Sequence, residues 1–95
     1  MKLIWAPEAI GDLNAIRAYI AADNPGAARR VVIGIVDAVE SMVLENPGVG
    51  RPGRIPGTRE LVVPRSPYIA PYRVLEGQVD ILRVYHGARR WPERL

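Results

Sequence analysis

Two stretches of the chain repeat their apolar positions at helical spacing. Ile10, Leu13, Ile16 and Ile20 fall three or four residues apart, with Tyr19 beside them. They predict one apolar stripe on a helix over residues 7–22. Pro7 suits the first turn, where its missing N–H costs nothing, and Glu8 complements the positive end of the helix dipole. Asp23, Asn24 and Pro25 close that helix and open a second, with Asn24 as its cap and Pro25 as its first residue. Val32, Ile35, Val39 and Met42 then form a packing seam, which Ala28 extends backward. Gly34 lies inside it at a cost of about 1 kcal/mol relative to alanine; a close backbone approach there would be one reason for a glycine. Asn46, Pro47 and Gly48 stop the helix. So short a link between the two helices predicts an antiparallel hairpin.

The rest of the chain alternates strands with turns. Lys2–Trp5, residues 58–63, Tyr68–Leu75 and residues 79–86 are rich in β-branched and aliphatic side chains. Residues 48–56 are a loop by their glycines and prolines. The order β-α-α-β-β-β predicts an α+β fold, a helical hairpin packed on a small antiparallel sheet, in one domain over residues 1–95. A two-residue turn at Glu76-Gly77 sets a register in which Arg73 faces Asp80, Tyr72 faces Ile81 and Tyr68 faces Tyr85. Arg83 and Tyr85 then share a face with Tyr68 and Tyr72, while Val84 and His86 lie on the other. Both faces are partly apolar, and the alternation leaves open which one meets the helices; a one-residue slip or a bulge at Gly77 would exchange them.

Composition narrows the function. With 95 residues, 48% of them hydrophobic, the chain must build one small core. It has no cysteine, which excludes a disulfide scaffold and a thiolate metal site and makes a cytoplasmic protein the expectation. No run approaches the ~18 apolar residues of a membrane span, and the Met1-Lys2-Leu3 start lacks a signal-peptide pattern. One histidine without a second ligand-type partner predicts no metal site and no cofactor.

Charge adds an asymmetry to the net +3. Residues 1–50 carry four basic and six acidic side chains, net −2, and residues 51–95 carry nine arginines against four acids, net +5. Arginine binds carboxylate or phosphate as a fork, so the second half is built to meet something acidic. Arg51, Arg54 and Arg59 lie on or beside the loop. Arg89, Arg90 and Arg94 surround Trp91 in the tail, and His86 stands where the last strand runs out. Trp91 reads best as a lid on the sheet, Trp5 as core.

In order and spacing, these residues resemble the ParE branch of the RelE/ParE toxin superfamily along almost the whole chain. The resemblance is carried by Trp5-Ala6-Pro7-Glu8-Ala9, Asp12-Leu13, Asn24-Pro25 and Ala27-Ala28 in the first half. It continues in Asn46-Pro47, Gly50-Arg51-Pro52-Gly53-Arg54 and Gly57-Thr58-Arg59-Glu60-Leu61. It closes with Tyr68-Ile69, Tyr72-Arg73 and the run from Ile81 to Arg89. The resemblance implies a toxin of a type II toxin–antitoxin system that poisons DNA gyrase and is silenced by a ParD-like antitoxin. It implies no membrane partner and no sequence-specific DNA binding by this chain. Target contact then falls to Arg51, Arg54, Arg59, His86, Arg89, Arg90 and Trp91. The antitoxin is expected on the hairpin and sheet, through Val31, Val36 and Val43 off the main seam of helix two and through Tyr68, Tyr72 and Arg83.

RelE-type relatives instead cleave mRNA on the ribosome. In that alternative His86 supplies the acid or base, with Arg83 or Arg89 on the phosphate. Arg73, six residues along the strand from His86, is roughly 20 Å away at ~3.3 Å per residue and cannot share its site. Arg83 and His86 point to opposite faces of a regular strand. Tyr68-Ile69-Ala70-Pro71 stands where RelE-type nucleases place basic residues. These departures favour a binder of macromolecules that is not an enzyme. A further alternative is an interaction domain without toxicity.

Overall fold

The computed structural model describes residues 1–88; Arg89, Arg90, Trp91 and Arg94, assigned above to target contact or the basic tail, lie outside the described residues. The chain runs β1 (Lys2–Trp5), α1 (Pro7–Ala21), α2 (Pro25–Glu45), β2 (Arg51–Pro52), β3 (Arg59–Val62), β4 (Tyr68–Leu75), β5 (Gln78–Ile81) and β6 (Tyr85–His86). Pro7 and Pro25 open the two helices, and the Asn24 side chain caps the second by accepting from Ala27 N–H at 3.0 Å.

The strands form one sheet in the order β1-β5-β4-β3-β2, with β6 on the same edge of β4 as β5. It is mixed, not purely antiparallel: β1 runs parallel to β5, because the helical hairpin carries the chain back across the sheet before β5 forms. Gly77 adopts φ 69° in the β4–β5 turn, and the expected pairs Tyr72–Ile81 and Arg73–Asp80 both form. The face bearing Ala70, Tyr72, Val79 and Ile81 packs on Leu13 of α1 and on Ile35, Val39 and Val43 of α2.

Besides the parallel β1–β5 pair and the short strand β2, which pairs with β3 inside the stretch expected as a loop, four expectations from the pattern change. Ile10 is 48% exposed, and Ala9 takes its place in the core. A Cβ on Gly34 would meet nothing within 4 Å, so no close backbone approach explains that glycine. Val43 and Tyr72 are fully buried in the monomer and offer an antitoxin no surface. Both lie on the core side of their elements, where α2 meets the sheet, so Val43 belongs to the packing seam of α2 and not off it.

The fourth change is in the last strand. Residues 69 and 72 of β4 are three apart, but their partners, Tyr85 and Ile81, are four apart. The ladder therefore takes in one extra residue, a bulge between Ile81 and Tyr85 and not at Gly77. Leu82 N–H still bonds the Pro71 carbonyl at 2.9 Å, but Val84 N–H turns to the Asp12 carboxylate, also at 2.9 Å. As a result His86, and not Tyr85, stands opposite Tyr68, and Val84 enters the core.

Candidate functional site

The bulge shapes a cleft of about 200 Å³ between α1 and β6. Asp12, Ala15, Ile16 and Tyr19 of α1 form one wall; Tyr68, Arg83, Val84, Tyr85 and His86 form the other. Arg83 and His86, expected on opposite faces, thus line one cleft, because the extra residue reverses the alternation after Ile81.

Asp12 organises this cleft. Arg83 donates from Nε to Asp12 Oδ2 at 2.8 Å and from Nη2 to Oδ1 at 3.0 Å, a two-point contact that suits the planar guanidinium. The hydrogen bond to Asp12 holds the Arg83 pKa above its ordinary value, against an opposing effect of burial. The same guanidinium lies 4.8 Å from the centre of the Tyr85 ring. Burial raises the Tyr85 pKa, and the Arg83 charge opposes that rise.

His86 meets Tyr68 edge to face, with ring centroids 5.8 Å apart. Its Nδ1 accepts the Ala88 N–H at 3.1 Å, so the proton of the neutral ring sits on Nε2. The turn that follows is tight: Gly87 N–H bonds the Pro67 carbonyl at 2.6 Å, and a Cβ there would lie 3.1 Å from that oxygen.

The arginine-rich loop is a separate structure on the opposite edge of β4, beyond β3. Glu60, 3% exposed, is its centre. Its Oε1 accepts from Arg51 Nε at 3.1 Å and lies 3.0 Å from Arg51 Nη2, while Oε2 accepts the Arg54 N–H at 3.0 Å. Arg59 donates from Nη1 to the carbonyls of Gly50 and Gly48, at 2.8 and 3.4 Å. Tyr72 braces the loop from below, donating its hydroxyl to the Pro47 carbonyl at 2.7 Å and accepting Gly50 N–H at 2.8 Å. Arg59 and part of Arg51 therefore hold the loop in shape, whereas about half of each of the Arg51 and Arg54 side chains remains exposed.

Of the residues expected to meet an antitoxin, Val31, Val36 and Tyr68 are half-buried against the core, and Arg83 lines the cleft. Asp12 and Glu60, the two acids that organise these sites, fall within motifs that carry the family resemblance, but the pattern of the sequence gives neither a role. The available signal was weak: each is a lone acid beside an apolar core residue, Leu13 and Leu61 respectively. Asp80, opposite Arg73, accepts instead from the Gln78 amide at 2.7 Å.

Among the described residues there is no group of three or more acidic or histidine side chains that could hold a metal. No helix among them is long and apolar enough to cross a membrane.

Comparison with known proteins agrees with this architecture. The family described as the ParE toxin of the type II toxin–antitoxin system parDE matches residues 3–91. Y4kP of Sinorhizobium fredii is 47% identical over 94 residues, covering 99% of this chain and 96% of its own length. Toxin RelE2 of Caulobacter vibrioides is 38% identical over 88 residues, 93% of this chain and 97% of that protein. A solved structure of the chromosomal ParDE toxin–antitoxin system of P. aeruginosa superposes with a TM-score of 0.81 at 38% identity, over 90% of this chain and 95% of that one. With the two helices, the mixed sheet and this match over nearly its whole length, the chain belongs to the ParE toxin family of type II toxin–antitoxin systems.

Proposed function

We propose that this toxin inhibits DNA gyrase by binding it in the cytoplasm, without itself making or breaking a covalent bond, and that a ParD-like antitoxin silences it. The observation that carries this reading is the Asp12–Arg83 pair. Cleavage of RNA requires positive charge beyond what the site already neutralises, to stabilise the charge that develops on the phosphate. Arg83, the one cation lining the cleft beside His86 among the described residues, instead holds a carboxylate at two points. Membership in the ParE family and the likeness to the P. aeruginosa ParDE system support the same target class and an antitoxin partner. The exposed parts of Arg51 and Arg54, together with the basic end from His86 through Arg89, Arg90 and Trp91, are the proposed gyrase contacts.

A supercoiling assay on relaxed plasmid tests the reading. Gyrase should lose activity, or accumulate cleaved DNA, as purified toxin is added. Charge reversal at Arg89 and Arg90 should relieve growth arrest while antitoxin binding survives. Normal supercoiling in the presence of toxin that still arrests growth would reject gyrase as the target.

One observation favours a second reading, a ribosome-dependent endoribonuclease: His86, Tyr68, Arg83 and Tyr85 meet in one cleft. Under that reading, His86→Ala should abolish cleavage on programmed ribosomes. Growth arrest that persists in this variant would remove it.

A further inference from the structure

Two hydrogen-bond donors in the α1–β6 cleft have no partner among the described residues. Arg83 engages Asp12 through Nε and Nη2, which leaves Nη1 with both its N–H groups unused. His86 accepts from Ala88 through Nδ1, which leaves Nε2–H unused. The carboxylate of Asp12, by contrast, is occupied on both oxygens, by Arg83 and by Val84 N–H. The charged capacity left over in the cleft is therefore donor capacity, and it suits an anion. Beside these donors runs an apolar wall of Ala15 and Ile16, with Tyr19, 76% exposed, at its end.

From this we infer that the α1–β6 cleft is the subsite where an acidic segment of the antitoxin anchors. A carboxylate meets Arg83 Nη1 and His86 Nε2, and a neighbouring apolar side chain lies on Ala15, Ile16 and Tyr19. The identity of the occupant rests on the antitoxin reading above. Two features favour a peptide over a nucleic-acid strand. Nucleic-acid affinity grows with each phosphate neutralised, yet among the described residues the lining includes a single cation, set in the field of Asp12 and Glu8. The apolar wall has no use for a sugar–phosphate chain but suits an aliphatic side chain next to an acidic one, the mixture by which such grooves read peptides. The positive net charge of the toxin, +3, favours an acidic occupant of either kind.

The probes are N-acetyl-Leu-Glu-Leu-amide, its Gln counterpart and inorganic phosphate, each titrated into the full-length toxin. Binding is followed by NMR at the Arg83 Nε–H and the His86 ring protons. The Glu peptide should bind about fivefold tighter than the Gln peptide and shift both signals. Arg83→Lys and His86→Ala should each reduce that preference to about twofold or less, in proteins whose remaining spectrum is unchanged. Equal affinity for the two peptides, or no binding of either, overturns the subsite. Phosphate that binds more tightly than the Glu peptide and displaces it overturns the peptide occupant in favour of a nucleic-acid phosphate. Restoration of growth by a co-expressed ParD-like antitoxin is scored separately. If growth is restored while the peptides bind equally, the subsite fails and the antitoxin reading stands. If no antitoxin restores growth although the Glu preference is present, the antitoxin reading fails and takes the proposed occupant with it.

Discussion

Asp12 and Arg83 lie 71 positions apart and meet in a two-point ion pair with N···O distances of 2.8 and 3.0 Å. The pair does more than join α1 to the bulge. Asp12 also accepts Val84 N–H, a backbone donor that the bulge has taken out of the ladder. One carboxylate thus satisfies a displaced amide, fixes a guanidinium and lines one wall of the cleft.

Asp12→Ala should destabilise the toxin by about 2–3 kcal/mol, since it strands both a partly buried charge and a buried amide. Asp12→Asn retains an acceptor and should lose less. Urea unfolding measures both. An unchanged midpoint in Asp12→Ala would mean that solvent replaces the carboxylate without loss.

Tyr85 gives the fold an alkaline limit. Its pKa is raised, chiefly by burial, so the native state holds the phenolic proton more tightly than the unfolded chain does. The linked stability is fully present below the unfolded value of about 10 and is lost as pH rises through the folded value. Stability measured between pH 8 and 12 should fall at the upper end in the natural protein. It should fall less in Tyr85→Phe; identical profiles for the two proteins would exclude this linkage.

Gly34 and Gly50 should respond oppositely to alanine. Gly34 sits inside α2 with open space around it, so Gly34→Ala should add about 0.5–1 kcal/mol of stability through helix propensity. A Cβ at Gly50 would lie 2.7 Å from the Tyr72 ring and hydroxyl and 2.9 Å from the Glu60 carbonyl. Gly50→Ala should cost about 2 kcal/mol or more, because the brace beneath the loop must move. Thermal denaturation of the pair decides it, and a shared sign would contradict the packing described.

Tyr72→Phe isolates the brace. It removes one hydroxyl, and with it the partner of Gly50 N–H and of the Pro47 carbonyl. The expected loss is about 1–3 kcal/mol, with faster amide exchange at Gly50 and at Arg54, whose N–H depends on the same loop. Exchange that quickens throughout the sheet to the same degree would show that Tyr72 supports the whole core and has no local effect on the loop.

The sequence by itself determined the two helices, the strands β1, β3 and β4, and the family, but not the short β2 or the break between β5 and β6. Helical periodicity, Pro7 and Pro25 at the helix starts, the Asn24 cap and the Gly77 turn are local signals, and each depends on residues within about a turn of one another. The register beside that turn followed for the same reason, through Tyr72–Ile81 and Arg73–Asp80. Tertiary structure decided what lies beyond the reach of local rules. The bulge after Ile81 forms where Asp12, distant in sequence, takes Val84 N–H from the ladder, and it alone brings Arg83 and His86 into one cleft. Likewise, an arginine count cannot reveal that Glu60 and two carbonyls already engage the loop arginines, nor that Tyr72 and Val43 lie inside the core. Alternation records which side chains share a face only while the strand is regular. One inserted residue resets it, and the carboxylate that holds that residue in place comes from another element of the fold.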